Sequence, residues 1–239
     1  MVKALRATDV SAPEGLADPV LAGVGLVDSW TEIDGPIGPL YVAWSETTGI
    51  TAAERSGDPD GFETEYELRH GRPARRVPEM PEPLLSQIHK RFEGERTQGP
   101  RVDLDTLTEF ERAVLLKTME IPYGEVRPYS WVAREIGRPK AVRAVGSALA
   151  GNPITFVIPC HRVVRADGHI GNYGAGGPEA KREVLELEGI DVGDLERTAG
   201  AGVRYTGSDS TSIYCYPSCR HARRTSTRHE VRFHSAEEA

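Results

Sequence analysis

The chain has 239 residues, of which 38% are hydrophobic, and its formal net charge at pH 7 is −7. No apolar run approaches the ~20 residues of a membrane-spanning helix, and the first residues lack the apolar core of a signal peptide. We therefore expect an intracellular protein with no membrane contact. Three cysteines do not suit a disulfide framework, so free thiols are available for chemistry.

The first hundred residues predict a small domain without a catalytic motif. Residues 1–25 are rich in Ala, Gly, Pro and Asp without periodicity, so we expect a loose segment before an N-terminal domain at 26–100. A β-hairpin is predicted within residues 31–54, where it begins at Pro36–Gly38 and Leu40, Val42 and Trp44 alternate with smaller residues. The polar residues 57–76 suggest a loop or a sheet edge, and residues 82–95 suggest a helix with one apolar side.

A second domain is predicted at 103–193. Its first helix opens with Thr108 and Glu111 at the spacing of a capping box and closes at Pro122. Two short helices follow, joined by Gly137–Pro139, and the proline suits the first turn of the second helix. This order is typical of a helix-turn-helix, although a helix buried against a sheet would give the same pattern.

Basic residues concentrate in this second domain. Residues 124–182 contain nine Lys or Arg against four Asp or Glu, a local charge of +5, so the rest of the chain carries −12. A local basic face on an acidic protein is the electrostatic pattern expected of a DNA-binding protein. Ordinary surface charge is the alternative.

The stretch ITFVIPCHRVV places a thiol in unusual surroundings. The apolar run Ile154–Ile158 predicts a buried strand that ends at Pro159, and Cys160, His161 and Arg162 follow. Only a thiolate attacks well, and an adjacent base or positive charge makes one available at neutral pH. Because neighbouring residues on a strand point to opposite faces, contact between the thiol and the imidazole needs a turn or a bridging water.

Several motifs, in order, resemble one known family. PCHRV is preceded by GNP and followed by GNYGAGG, with YGEVRPYSWVAREIG and RPKAVRAVG upstream and LEG downstream. Over Thr108 to Gly189 the chain resembles the O6-alkylguanine-DNA alkyltransferases, also called methylated-DNA–protein-cysteine methyltransferases. GPIGPLYVAW resembles the opening of the family's N-terminal domain. The resemblance implies a mixed α/β (α+β) fold, in which an RNase H-like three-layer domain precedes a winged helix-turn-helix-like alkyltransferase domain.

The resemblance also implies an irreversible reaction that needs no cofactor. Cys160 would take the alkyl group from O6-alkylguanine, and from O4-alkylthymine, in one displacement that consumes the protein. His161 would accept the thiol proton through a water, and Glu188 would hold His161. Tyr129 would donate a proton to the leaving base, and Asn152 would tie the recognition helix to the strand before the active site.

A DNA surface and a base pocket are implied as well. A target atom buried in a duplex must be flipped out before it can react, and an arginine would fill the gap from the minor groove. A monomer would bind double-stranded DNA with little sequence preference. The implied DNA contacts are Arg143, Lys140, Ala141, Ala144 and Gly146, and the implied pocket walls are Pro159, Val163, Tyr173 and Gly174.

Residues 194–239 are predicted to be a linker and an incomplete second motif. Cys215 and Cys219 resemble the first cysteine pair of the zinc domain in the adaptive-response (Ada) proteins, where Cys215 would match the methyl acceptor. The second pair of that domain has no counterpart here, so we expect a largely disordered remnant without zinc. The alternative is a zinc site in which histidines replace the missing cysteines, and the candidates are His221, His229 and His234.

Three other functions fit parts of the sequence. An alkyltransferase-like sensor would bind lesions without repairing them, but those relatives lack the acceptor cysteine that is present here as Cys160. A regulator switched by methylation of the tail would need a further DNA-binding domain, and none is visible. A cysteine hydrolase of another family would leave the helix-turn-helix and Arg143 unexplained.

Overall fold

The computed structural model describes residues 17–95, 99–166 and 169–239. Its helices are α1 (Ala17–Gly23), α2 (Pro59–His70), α3 (Glu82–Phe92), α4 (Glu109–Met119), α5 (Tyr129–Glu135), α6 (Val142–Ala150), α7 (Gly177–Leu187) and α8 (Val192–Gly200). Its strands are β1 (Asp28–Gly35), β2 (Gly38–Ser45), β3 (Gly49–Arg55), β4 (Ala74–Arg76), β5 (Arg127–Pro128), β6 (Val163–Val164), β7 (Tyr205–Ser208), β8 (Ile213–Cys215) and β9 (Glu230–Phe233). Short 3-10 turns cover Cys160–Arg162 and Ala222–Arg224.

A four-stranded sheet in the order β3-β2-β1-β4 forms the first half of the fold. The predicted hairpin is confirmed by the antiparallel pairing of β2 with β3, and β1 pairs antiparallel with the other edge of β2. Both faces of β2 are covered, because Tyr41 packs with Phe62 and Tyr66 of α2, while Leu40 and Val42 enter the main core. That core also contains residues of α4 and α6, so the two halves of the chain share it.

Most of the polar stretch 57–76, predicted as a loop or a sheet edge, forms the helix α2 instead, while β4 at its end is an edge strand of the sheet, as predicted. Asp58 caps the start of α2 through its side chain, Pro59 takes the first position, and Gly71 ends the helix with a φ of 67°. Two buried aromatic residues one turn apart hold this otherwise polar helix to the sheet. Caps and a narrow apolar stripe therefore decide the local structure, although the average composition is that of a loop.

The second half contains the predicted helix-turn-helix. The capping box is confirmed, since the Thr108 hydroxyl accepts from Glu111 N and the Glu111 carboxylate accepts from Thr108 N. α5 and α6 pack on each other and on α4. Pro139 was predicted in the first turn of the second helix, and this is wrong: α6 begins at Val142, so Pro139 and Lys140 lie in the turn before it.

The apolar run 154–158 is buried but is not a strand. Isolated bridges join it to β3 and to itself, and Phe156 within it has a φ of 67°, so the run turns back sharply. The 3-10 turn Cys160–Arg162 follows directly. The side chains of Cys160 and His161 therefore do not point to opposite faces of a strand.

The C-terminal end is folded, contrary to the predicted linker and disordered remnant. α8 occupies part of the expected linker, and β7, β8 and β9 form an antiparallel sheet in the order β8-β7-β9. Tyr205 and Tyr214 stack edge to face across it, with ring centroids 5.5 Å apart. The rest of the domain division stays a prediction.

The N-terminal prediction is only partly covered by the structure. Residues 1–16 of the expected loose segment lie outside the described residues, and the part after them forms α1. Within the described ranges, no helix combines the length and the apolar character needed to cross a membrane.

Candidate active site

Cys160 lies at the start of its 3-10 turn, just after Pro159, with 6% of its surface exposed. Asn152 fixes this turn, because its Nδ2 donates to Ile158 O at 3.1 Å and to Cys160 Sγ at 3.2 Å. Its Oδ1 accepts from Ile154 N at 3.0 Å. Since Asn152 is the second residue after α6, one side chain connects the end of that helix to the thiol.

The surroundings of Cys160 favour the protonated thiol over the thiolate. Burial raises the pKa of Cys160, against the lowering effects of the Asn152 hydrogen bond and the Lys181 charge. Lys181 is itself buried, and its Nζ donates to Val163 O at 2.6 Å. Burial lowers the pKa of Lys181 to about 8. Because a neutral thiol attacks poorly, its proton must leave as the sulfur reacts.

His161 offers a place for that proton. Its Nε2 lies 2.8 Å from Glu188 Oε1, and its Nδ1 is buried without a hydrogen-bond partner among the described residues. Burial lowers the pKa of His161, which keeps the ring neutral. A neutral ring whose Nε2–H donates to a carboxylate keeps its lone pair on Nδ1, as a proton acceptor requires.

The carboxylate that holds His161 is itself fully engaged. Arg162 donates to both oxygens of Glu188 through Nε and Nη2, and Gly124 N donates to Oε2 at 3.1 Å. Burial alone would raise the pKa of Glu188, but the hydrogen bond from His161 and the charge and hydrogen bonds of Arg162 hold it below its ordinary value, at about 2. Sequence reasoning missed this role of Arg162, which was seen only as positive charge beside the thiol.

Two tyrosines enclose the site. Burial, followed by the nearby Cys160, raises the pKa of both Tyr129 and Tyr173. Tyr173 Oη is buried without a hydrogen-bond partner among the described residues, and its ring meets His161 edge-on with centroids 6.1 Å apart. Both phenols are therefore protonated at neutral pH and can donate hydrogen bonds.

A cavity opens over the thiol, and both halves of the chain line it. The second half contributes Asn152, Thr155 and Gly174, and the first half contributes Arg55 at the end of β3. The Arg55 guanidinium passes close to Gly176, where an added Cβ would lie 2.6 Å from Nη1 and where φ is 117°. Only glycine suits this position. Sequence reasoning did not find Arg55, since no motif joins β3 to the glycine-rich loop.

The predicted DNA contacts lie on one side of α6 and in the turn before it. Arg143 is exposed and forms no ion pair with any described residue. An added Cβ at Gly146 would lie 3.9 Å from Tyr129 Cε1, so α6 runs past a tyrosine of the site. The other predicted contacts are also accessible: Lys140 and Ala144 are exposed, and Ala141 and Gly146 are half-buried.

The two remaining cysteines lie close together in the C-terminal sheet region. Burial, and then a hydrogen bond between the two thiols, raises the pKa of Cys215 above that of a free thiol, while Cys219 is the more buried. Structural zinc almost always has four protein ligands. The described part of the chain contains no group of three or more His, Cys, Asp or Glu that could hold a metal. The donors present therefore do not fit a zinc centre.

Comparisons with known proteins point in one direction. Residues 109–190 match the family model described as 6-O-methylguanine DNA methyltransferase, DNA binding domain. The methylated-DNA–protein-cysteine methyltransferase of Mycobacterium bovis is 38% identical over 164 residues, which are 65% of this chain and 89% of that protein. The protein of the same name from Rattus norvegicus is 45% identical over 100 residues, 41% of this chain and 46% of that protein.

The fold gives the same answer. A crystal structure of Mycobacterium tuberculosis OGT in complex with DNA matches 70% of this chain and 98% of its own, with a TM-score of 0.55 and 34% identity. The predicted mixed α/β class is confirmed. Because the Mycobacterium bovis relative is matched over most of its length, the chain belongs to the methylated-DNA–protein-cysteine methyltransferase family.

Proposed function

We propose that this chain repairs DNA by moving the alkyl group of O6-alkylguanine, and of O4-alkylthymine, onto Cys160. The observation that carries the proposal is the buried thiol next to an imidazole whose Nδ1 has no protein partner and whose Nε2 is held by Glu188. Family membership supports the same reaction, because the relatives compared are methylated-DNA–protein-cysteine methyltransferases.

The atoms balance without a cofactor. His161 Nδ1 takes the thiol proton through a water, and the sulfur attacks the alkyl carbon as the bond from that carbon to O6 breaks. The electron pair of the broken bond passes to guanine, which takes a proton from the Tyr129 hydroxyl. The proton held by His161 then restores the phenol. The product is a thioether, which has no ready leaving group, so each molecule reacts once.

The groups around His161 favour this proton transfer. Burial lowers the pKa of His161, so the ring is unprotonated before the reaction begins. Once protonated, the ring faces the Glu188 carboxylate, which stabilises the imidazolium as a third group does in catalytic triads. The hydrogen bond from His161 and the charge of Arg162 keep the pKa of Glu188 low, so the carboxylate stays ionised and does not compete for the proton.

The proposed partner is double-stranded DNA, which a monomer of this protein binds through the minor groove. The small residues of α6 permit close approach to the groove floor, and Arg143 fills the space of the flipped base. Contacts of this kind carry little sequence information. We place the reaction in the cytoplasm, where thiols stay reduced.

The proposal predicts stoichiometric transfer. Purified protein mixed with excess duplex that contains O6-methylguanine should gain one methyl group per molecule and then stop. Intact mass gives the stoichiometry, and peptide mapping should place the methyl on Cys160. Continued turnover, or methyl found mainly on Cys215 or Cys219, would show that the proposal is wrong.

Arg143→Ala should slow transfer from duplex DNA by on the order of 100-fold, because flipping a base costs a few kcal/mol that the arginine offsets. Single-turnover rates on an O6-methylguanine duplex measure the effect. The rate with free O6-methylguanine should stay unchanged, because no base has to be flipped.

Arg138→Ala is the matched control, since Arg138 is exposed in the turn before α6 and carries the same charge. Arg138→Ala should lower DNA affinity only by the amount expected for the loss of one positive charge. Equal rate losses in the two variants, or an equal loss on the free base, would remove the proposed role of Arg143.

A further inference from the structure

The C-terminal module, residues 203–239, packs directly on a segment that reaches the active site. Ser218 Oγ accepts from Val126 N and donates to Val126 O, both at 3.0 Å, and both residues are buried. Two residues further into the module, Arg220 N donates to Glu125 Oε1 at 3.2 Å. The loop after Cys215 is therefore fastened to residues 125–126.

Aromatic and cationic side chains reinforce this contact. Arg134 Nη2 of α5 donates to Tyr216 Oη at 2.9 Å. The Arg127 guanidinium lies between two rings, 5.2 Å from the centroid of Tyr216 and 5.8 Å from that of Trp131. The module thus rests on β5 and on the first helix of the helix-turn-helix.

Arg223 makes the most informative contact of the module. Its Nη2 donates to Gly124 O at 3.0 Å, and its Nη1 donates to Gly189 O at 3.2 Å. Gly124 N donates to Glu188 Oε2, and Gly189 directly follows Glu188 in the chain. One guanidinium therefore bridges the two backbone segments between which the Glu188 carboxylate is held.

Both bridged residues are glycines in the left-handed region, with φ of 70° at Gly124 and 77° at Gly189. An added Cβ at Gly124 would lie 2.8 Å from Glu188 O, so the close approach requires a glycine. Glycine backbone loses more freedom on ordering than any other residue. Contacts from outside the segment, such as those of Arg223, therefore restrict its conformation more than they would restrict a segment without glycine.

We propose that Arg223 and Ser218 are positioning residues: the C-terminal module holds Gly124 and Gly189 in place so that Glu188 keeps His161 ready to accept the thiol proton. The inference goes beyond the proposed function and rests on the Cys160–His161–Glu188 arrangement given there. It assigns the module a role within the repair protein itself, independent of any metal or acceptor chemistry at its own cysteines.

The test compares Arg223→Ala with Arg224→Ala. Both substitutions remove an exposed guanidinium from the same 3-10 turn, but the Arg224 side chain makes no hydrogen bond or ion pair with any described residue. Single-turnover methyl transfer from duplex DNA should slow about twofold to thirtyfold in Arg223→Ala relative to Arg224→Ala. Affinity for undamaged duplex should fall equally in the two variants.

A spectroscopic readout separates positioning from general damage. In DNA-free protein, the Nε2–H resonance of the His161 ring, observed by proton–nitrogen correlation, should shift or broaden in Arg223→Ala and stay in place in Arg224→Ala. Ser218→Ala should move it in the same way, since it releases the other end of the same segment. Arg223→Lys should restore part of the rate, because an ammonium can still reach one of the two carbonyls.

Two results would overturn the proposal. One is an unchanged His161 resonance in both Arg223→Ala and Ser218→Ala. The other is a rate loss in Arg223→Ala that its loss of DNA affinity fully explains. If the wild-type protein transfers no methyl group, the proposed function fails, while the ring resonance still tests whether the module positions Glu188.

Discussion

A Cys160→Ser protein is expected to transfer no measurable methyl group while keeping its fold. A serine hydroxyl ionises far less readily than a thiol and is a much weaker nucleophile toward an alkyl carbon. The oxygen can still accept from Asn152 Nδ2, as the sulfur does now at 3.2 Å. We therefore expect a change in the free energy of unfolding of about 1 kcal/mol or less. Radiolabel transfer from methylated duplex and a urea titration measure the two quantities.

Cys215→Ser serves as the control, because it also exchanges a thiol for a hydroxyl but lies in the C-terminal sheet. It should transfer one methyl group per molecule, like the wild type. Label on the Cys160→Ser protein would mean that the acceptor is a different side chain.

Arg162→Met is expected to lower the free energy of unfolding by about 3–5 kcal/mol, because it leaves the buried Glu188 carboxylate without its main counter-ion. Arg162 is 4% exposed, donates to both Glu188 oxygens, and donates from Nη1 to Ile121 O at 2.8 Å. Methionine fills much of the volume but supplies none of these donors. Urea unfolding at neutral pH gives the difference, with Arg138→Met as an exposed control that should change stability little.

The dependence of stability on pH provides a second check on the same pair. Glu188 has a folded pKa of about 2, below its ordinary value of about 4.5, so its contribution is present above that value and is lost as the pH falls toward 2. In Arg162→Met the folded pKa rises, so less of this stability is present at neutral pH. A wild-type protein whose stability stayed flat between pH 5 and pH 3, once other carboxylates are allowed for by comparison with Glu188→Gln, would contradict the assignment.

Local signals predicted the parts of the fold that depend on local chemistry. The capping box at Thr108 and the Gly137–Pro139 turn are set by neighbouring residues, and the structure has both. α2 was missed because its average polarity hid its two buried aromatic residues and its caps. The apolar run 154–158 fits a strand in sequence because a buried turn and a buried strand give the same apolar pattern, and the structure departs from a strand at Phe156, where φ is positive.

The candidate site shows the same limit. Cys160, His161 and Glu188 could be named from the resemblance, and the structure brings His161 and Glu188 within 2.8 Å. Arg162 could not be assigned from its position beside Cys160, because the turn directs it toward a residue 26 positions later. The contacts of Arg223 were equally hidden, since they join backbone carbonyls far away in sequence and leave no motif.

Because the two halves share one core, we expect that neither half folds stably without the other. Leu40 and Val42 of β2 belong to the same buried cluster as Val114 of α4 and Val145 of α6. A cut near residue 100 would expose both sides of that cluster to water, so neither fragment would keep its share of the burial energy. The first half holds none of the reacting groups. A large-to-small substitution in β2 would still reduce repair, because it would destabilise the core that both halves share. Mutations that abolish repair are therefore expected at many more positions than those of the reacting groups.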